Sequence, residues 1–188
     1  MDHFELQPPE KDLPELAEQY WRKAGDKGRS FEKAAFEAGA SIRNRVFSLV
    51  NLEAIVRWKS ERVVHHLDKN SQEEIEKALA VAVSPDASTQ DAVKALIELR
   101  GVGVPVASAI LTAIFPERYT VLDFRALESL GYAQQDVAFY VEYLAFCKEL
   151  AEREKIQPQA NLPAPTALRA LDRALWQWSK NGSESHAE

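Results

Sequence analysis

The feature that most constrains this chain is a pair of glycines, Gly101 and Gly103, between two apolar stretches with helical periodicity. Leu99 closes the first stretch and Ile110 lies in the second. Glycine tolerates positive φ and close backbone approach, so this spacing predicts two helices joined by a tight four-residue turn. Small residues such as Ala107 would let the two helices cross closely around a shared apolar core.

The turn itself, residues 101–104, is predicted to point its backbone N–H groups outward at the start of the second helix. N–H donors clustered at a helix N-terminus, reinforced by the helix dipole, suit a phosphate oxygen. The alternative is a glycine-bearing helical hairpin that binds no ligand. On the first interpretation, the residues expected to contact the phosphate are Arg100, Gly101, Val102, Gly103 and Val104.

Helical patterns also fill most of the remaining chain, and no stretch alternates cleanly enough for a half-buried strand, so the predicted fold class is all-α. Ser71 with Glu74 forms a capping-box pattern, and Ser88 is a candidate cap for the next helix. The tail, 181–188, is expected to fray. The predicted helices are 12 to about 24, one after Ser30, 51 to about 68, 72–83, 89–99, one from Pro105, 123 to about 131, 136 to about 155, and one around Leu171, Leu175 and Trp178.

The glycine turn resembles the helix-hairpin-helix motif of DNA-binding proteins in its Leu-x-Gly-Val-Gly core, residues 99–103. A second feature is Val121-Leu122-Asp123, whose aspartate follows Gly103 by twenty positions. An aspartate after an apolar step at this interval is similar to that of the DNA-glycosylase branch of the helix-hairpin-helix superfamily, the endonuclease III and MutY-like proteins. The resemblance is carried by residues 88–131, less than a quarter of the chain.

This resemblance implies a single all-helical, glycosylase-like domain over 1–188, with two lobes around a cleft, the hairpin at about 89–115, and C-terminal helices packed on the N-terminal lobe. It also implies that Asp123 is the catalytic carboxylate. A fixed carboxylate stabilises the positive charge that develops on the sugar when an N-glycosidic bond breaks, and it can orient the attacking water. The alternative is that Asp123 only caps the helix starting at Phe124.

Two departures from the family pattern narrow the expected chemistry. Bifunctional members carry a lysine two residues after the second glycine, where this chain has Pro105, which has no amine to form a Schiff base. The single cysteine, Cys147, excludes a four-cysteine iron–sulfur cluster within the chain and is expected to be a small apolar residue on a buried helix face. We therefore expect a monofunctional enzyme without lyase activity and without a cofactor.

Charge is unevenly distributed along the chain. The formal net charge is −6, yet residues 22–69 contain eleven Lys or Arg against six Asp or Glu, so one part could face a polyanion. Solvated helix faces that merely differ in sign are the alternative. Lys59 falls inside an apolar helical stripe, where a lysine is costly unless it meets a carboxylate or lines a wet cleft, although a snorkelling stem is also possible. Lys59 and Arg62, with Trp58, are predicted to line a groove opposite the hairpin.

Other kinds of site and setting are not expected. His65 and His66 are adjacent and lack the i, i+4 spacing of metal ligands, so no metal site is predicted. The N-terminus lacks the basic start and apolar run of a signal peptide, and charged residues interrupt every long apolar stretch. We expect a cytoplasmic protein that does not contact a membrane.

The function predicted from the sequence is removal of a damaged or modified base from double-stranded DNA, as in base excision repair. The hairpin would hold the backbone phosphate, the base would flip out of the duplex, and Asp123 would promote hydrolytic release. Two alternatives stay open at this stage: a DNA-binding protein that has lost catalysis, and a protein-interaction module on the same fold, which the net negative charge favours.

Overall fold

The computed structural model describes residues 4–133 and 135–185, with side chains to 183, and within these residues the fold is all-α without strands. This confirms the predicted fold class. The α-helices are α1 (Leu13–Lys23), α2 (Asp26–Arg43), α3 (Leu49–Lys59), α4 (Gln72–Ala82), α5 (Thr89–Ile97), α6 (Val104–Ile114), α7 (Phe124–Glu128), α8 (Val137–Arg153) and α9 (Ala167–Ser185). Short 3-10 helices occupy Glu10–Asp12 and Glu61–Lys69.

Several helices begin where short polar side chains can satisfy the first free backbone amides. Ser71 and Glu74 form the predicted capping box at the start of α4, with Ser71 Oγ accepting from the amide of Glu74 at 3.2 Å. Ser88 caps α5 in the same way, together with Asp91. These local signals therefore gave both starting points correctly.

Three predicted boundaries were wrong. The helix predicted from 51 to 68 is two elements, because Ser60 adopts φ −163° and ψ 101° and ends α3 before the 3-10 helix of residues 61–69. The second helix starts at Asp26 instead of after Ser30, with Gly28 inside it. The last helix continues to Ser185 instead of fraying from 181, and 186–188 lie outside the described residues.

The central element is α6, whose residues 106–114 are all buried. It packs against α2, α3, α5 and α8. A helix that is apolar on every side is stable only when surrounded in this way, because any exposed face would leave apolar surface in water. Its turn at the N-terminal end and the residues along it therefore have fixed positions relative to four neighbouring helices.

The crossing of α2 and α6 depends on Gly39. A side chain at this position would overlap the backbone carbonyl of Ala113, so α2 can approach α6 only where a glycine stands. Arg43, at the end of α2, donates from Nε to the carbonyl of Ile114 at 2.6 Å and so satisfies a terminal acceptor of α6. Gly39, which weakens the helix pattern in the sequence, is thus explained by interhelical packing.

The last helix closes the structure against the first: α9 packs along α1 and also contacts α7 and α8. Leu171 and Leu175 are buried, and Trp178 is partly buried against the core. Cys147 in α8 is fully buried, as predicted, and burial raises the pKa of its thiol. No helix in the described part of the chain combines the length and hydrophobicity needed to cross a bilayer.

Replacing Gly39 by alanine should destabilise the protein by about 3 kcal/mol, because the methyl group meets backbone that cannot move aside. The matched control is Gly28→Ala in the same helix, where an added Cβ meets nothing within 4 Å. That change should stabilise the protein by about 0.5 kcal/mol, since alanine restricts the unfolded chain. Urea unfolding followed by circular dichroism measures both, and equal stabilities would contradict the packing argument.

Candidate functional site

Asp123 lies at the start of α7 and is 8% exposed. Its Oδ1 accepts a hydrogen bond from the amide of Ala126 at 2.9 Å, which is the N-cap interaction expected from the sequence. Its Oδ2 accepts from the ammonium of Lys59 at 2.9 Å. Both oxygens are thus engaged, and the carboxylate is held in one orientation.

Lys59 is the last residue of α3, and its side chain is only 14% exposed. The sequence placed this lysine inside an apolar stripe, where it would need a carboxylate partner, and Asp123 is that partner. The sequence identified both residues but not the pair, since 64 positions separate them. Their contact joins α3 to the segment before α7.

The segment that carries Asp123 is fixed by side chains from two other helices. The amide of Leu122 donates to Ser108 Oγ of α6 at 2.9 Å. From α8, the hydroxyls of Tyr140 and Tyr143 donate to the carbonyls of Thr120 and Val121, each at 3.0 Å. Burial raises the pKa of both tyrosines well above the ordinary value, so they remain neutral donors.

Asp123 and Lys59 line a cavity of about 360 Å³, here called the Asp123 cavity, a volume within the range of small-ligand pockets, roughly 300–1,000 Å³. Its walls come from α1, α2, α3, α9 and the segment before α7. The aromatic side chains in the walls are Tyr20, Phe31, Trp58 and Trp176. The acidic and arginine side chains there are Asp123, Asp172 and Arg169. Flat rings and charged groups together suit a planar polar ligand.

Behind this cavity lies a buried charge network centred on Glu32 of α2. Its carboxylate accepts from Arg169 at 3.0 Å and also from Arg173, and Tyr20 donates to it at 3.2 Å. Arg169 also donates to Asp172. Burial opposes ionisation of Glu32, but the two arginines outweigh it and hold the pKa of its carboxyl below the usual value. Burial raises the pKa of Tyr20 to about 12.

Arg169 also contacts aromatic rings on two sides. Its guanidinium carbon lies 5.1 Å from the ring centre of Trp58 and 5.5 Å from that of Tyr20. Such cation–π contacts fix the plane of the guanidinium and the rings beside it. The network therefore orients the aromatic walls of the Asp123 cavity, although the sequence analysis identified neither Glu32 nor Arg169 as site residues.

A further polar feature of the cavity wall is Gln177 of α9. Lys23 donates to Asn181 Oδ1 at 3.0 Å, which fixes that atom as the acceptor, and Gln177 Nε2 donates to the same oxygen at 2.7 Å. Gln177 Oε1 is then left buried without a hydrogen-bond partner among the described residues. An unsatisfied buried acceptor costs stability, and this oxygen is closed to solvent, so it lies within the wall and not at the cavity surface.

The glycine turn connects α5 to α6, and Gly101 has φ +89°, as a glycine-dependent turn requires. Not all of the predicted amides point outward. The amide of Val102 donates to the carbonyl of Leu99 at 3.1 Å, and Val102 is buried. Gly103 is exposed and stands as the N-cap of α6, with Val104 half-buried behind it. At the start of α6, Pro105 has no N–H and the amide of Ala107 donates to the Gly103 carbonyl, so the helix-terminal donors here are the amides of Val104 and Val106.

Two neighbouring segments hold the turn in place. A Cβ on Gly101 would lie 2.8 Å from His66 Cβ and 3.1 Å from the Val63 carbonyl, so the turn sits directly on the 3-10 helix of residues 61–69. Asn70 clamps exposed Arg100 by donating to its carbonyl at 3.1 Å and accepting from its amide at 2.8 Å. Asn70 was not identified from the sequence.

The predicted site residues fall into two groups. Lys59 and Asp123, with Trp58, lie together in the Asp123 cavity. The exposed residue Arg62, expected in the same groove, is not one of its wall residues and belongs to the 3-10 helix beneath the turn. Helix α6 links the groups: it starts at the turn, and Ser108, about 6 Å further along its axis, holds the segment before Asp123.

Within residues 4–133 and 135–185, no cluster of three or more His, Cys, Asp or Glu side chains is arranged to hold a metal ion. Comparisons of the chain with models of protein families, with curated proteins and with solved structures gave no match. Functional inference therefore depends on the geometry of the site and on the resemblance of its motifs.

Glu32→Gln should destabilise the protein by about 3 kcal/mol, since it leaves two buried arginines with too little negative charge. The stabilisation from Glu32 is complete above the ordinary glutamate pKa and is lost as pH falls through its lowered value, so wild type should lose more stability on acidification than the variant.

The matched control is Glu37→Gln, also in α2. Its partner is the exposed Lys33, whose Nζ lies 3.9 Å from Glu37 Oε1. This change should alter the free energy of unfolding by less than about 0.5 kcal/mol. Denaturant unfolding at pH 7 and pH 4 measures both variants, and similar losses for Glu32 and Glu37 would refute the network argument.

Proposed function

We propose that the protein is a monofunctional DNA N-glycosylase, which hydrolyses the bond between a damaged or modified base and its deoxyribose. The observation that carries the proposal is Asp123: a nearly buried carboxylate, fixed by the Ala126 amide and Lys59, in the wall of a cavity with aromatic sides. A carboxylate held in this way suits stabilisation of a sugar cation, because it need not reorganise as charge develops.

The glycine turn supplies the contact with DNA in this proposal. The amides of Gly103, Val104 and Val106 would hold one backbone phosphate, with Arg100 beside them. This proposal assigns the turn as a helix-hairpin-helix. Support comes from α6, which begins at the turn and, about 6 Å further on, holds the Asp123 segment through Ser108. One rigid helix thus connects the proposed phosphate contact with the segment that carries Asp123.

The Asp123 cavity would receive the flipped base. Its aromatic walls can contact the faces of a planar ring, and its charged side chains can contact the polar edge. As the bond between the sugar C1′ and the base nitrogen breaks, its electron pair passes to the base, and water adds to C1′. The carboxylate of Asp123 stabilises the cationic sugar between these events.

Lyase activity is not part of this proposal. Pro105 has no amine to form a Schiff base, and the side chain of Lys59 is engaged with Asp123 at 2.9 Å. The role of Lys59 is to hold the carboxylate in position. No metal or cofactor is assigned to the reaction.

A second candidate function is DNA binding without catalysis. One observation favours it: both oxygens of Asp123 are already hydrogen-bonded within the protein, which a purely structural cap would also explain. The two proposals share the phosphate contact at the turn and differ only in whether a base is released.

Asp123→Asn should lower base release by about 10²- to 10³-fold, because the amide lacks the charge that stabilises the sugar cation. Asparagine is an equally good N-cap, but it leaves the Lys59 ammonium without its carboxylate. Circular dichroism and duplex binding are therefore measured for the variant beside base release, and the comparison is made at a temperature where it is folded. The assay uses duplexes that each carry one damaged or modified base, heated in alkali to cleave the strand at abasic sites.

The control is Asp136→Asn, because Asp136 caps α8 through the Phe139 amide at 2.8 Å, the same interaction at another helix. It should retain wild-type release. Release that persists undiminished in Asp123→Asn would remove the catalytic assignment, whereas a wild type that binds duplexes but releases no base would leave the non-catalytic candidate.

Arg100→Gln and Arg62→Gln should each weaken duplex binding by roughly tenfold at low salt and reduce the dependence of log K on log salt by about one unit. Both side chains are exposed at or beneath the turn. The control is Arg153→Gln in α8, whose partner is Glu10. Fluorescence anisotropy over a salt series measures all three, and equal weakening would indicate an effect of net charge instead of a contact surface.

A further inference from the structure

The wall of the Asp123 cavity contains a second carboxyl group besides that of Asp123. Asp172 lies in α9, is 4% exposed, and forms part of the cavity wall with Asp123 and Lys59. One of its oxygens, Oδ2, accepts a hydrogen bond from Arg169. Asp172 and Asp123 therefore line the same cavity from different elements.

The two carboxyl groups differ in their surroundings. Asp123 accepts hydrogen bonds from a backbone amide and from the Lys59 ammonium. Burial is the main influence on Asp172 and raises its pKa to about 6, with Arg169 opposing and Asp123 adding to the rise. The titratable and charged groups that act on Asp172 come from five helices and from the segment before α7. They are Tyr20 of α1, Glu32 of α2, Lys59 of α3, Tyr140, Tyr143 and Cys147 of α8, Arg169 of α9, and Asp123.

Two carboxyl groups in one site can divide the work of an acid and a base when their surroundings differ. Departure of a neutral base leaves an electron pair on its nitrogen, and protonation of the base makes that departure easier. Asp123 is held in an ion pair with Lys59, whereas Asp172 accepts from Arg169 through Oδ2. Asp172, buried in the same cavity wall and with a raised pKa, is therefore the better placed of the two to hold a proton.

We infer that Asp172 is the proton donor to the leaving base, and that the substrate is a neutral base which needs this proton. The inference rests on the proposed glycosylase function. The Asp172 O–H bond breaks as an N–H bond forms on the base, and the C1′–N electron pair passes to the base. Water then adds to C1′ and its proton returns to Asp172, so the cycle consumes only water.

The test compares neutral and cationic leaving bases. Single-turnover release is measured between pH 5 and pH 9 on duplexes carrying uracil, hypoxanthine, 8-oxoguanine or a mispaired adenine, and on one carrying 7-methylguanine, which is already positively charged. In the wild-type protein, release of a neutral base should fall about tenfold per pH unit above pH 6, because the acid form of Asp172 disappears. Release of 7-methylguanine should show no such decline.

The matched variant is Asp172→Asn, whose amide oxygen can still accept from Arg169. It should lower release of the neutral base by about 10²- to 10³-fold at pH 6 and abolish the pH dependence. On 7-methylguanine it should stay within about threefold of wild type, since no proton is needed. A purely structural role would instead reduce release from both kinds of substrate by the same factor, and that result would overturn the inference.

The pH profiles of the wild-type protein on neutral and cationic bases test the inference without a variant, so the test holds even if Asp172→Asn does not fold. Neutral-base release without the decline above pH 6 would overturn the role of Asp172 and leave the glycosylase proposal standing. If only 7-methylguanine is released, the enzyme acts on charged bases and the proposed substrate class is wrong. If none of these duplexes loses its base, the result counts against the glycosylase function itself, and the inference that rests on that function fails as well.

Discussion

The complete burial of α6 is the constraint on which the rest of the structure depends. Every residue from 106 to 114 is enclosed by α2, α3, α5 and α8, so the position of α6 fixes the elements around it. At its N-terminus it presents the glycine turn, and in its interior Ser108 holds the segment that leads to Asp123. The close approach of α2, which only Gly39 permits, then brings Glu32 into the same region of the molecule.

A second layer of organisation comes from charges removed from water. Glu32 binds two arginines of α9, and Lys59 binds Asp123, so ionic contacts connect α2 to α9 and α3 to α7. Buried ion pairs contribute little net stability, because desolvation offsets most of the attraction. Here the ion pairs act by fixing positions: they hold α9 against α1 and α2 and place polar groups at one cavity. An apolar interface of similar volume would give that cavity no polar wall.

Most of the local structure could be predicted from the sequence, and the failures have a common physical cause. The caps at Ser71 and Ser88 act over four residues, and the sequence contains everything they need. No proline or glycine marks the break at Ser60, and the apolar spacing continues through it, so the sequence predicts one helix. In the structure, residues 61–69 pack beneath the glycine turn, a contact distant in sequence that the local pattern does not contain.

The same limit applies to the candidate site. Asp123 was identified by its interval from Gly103 and Lys59 by its place in an apolar stripe, yet a contact across 64 positions leaves no mark in either pattern. The sequence does show three charged residues among the leucines of one stretch of α9, and they are Arg169, Asp172 and Arg173. It does not show that the two arginines bind Glu32 of α2.

The double engagement of Asp123 has an evolutionary consequence. Its carboxylate starts α7 and neutralises the ammonium at the end of α3, so natural selection for a stable fold alone would retain an aspartate there. A related protein without catalytic activity would therefore keep this residue. An aspartate at this position in a distant homologue indicates a shared fold, and taking it alone as the mark of an enzyme would include inactive relatives.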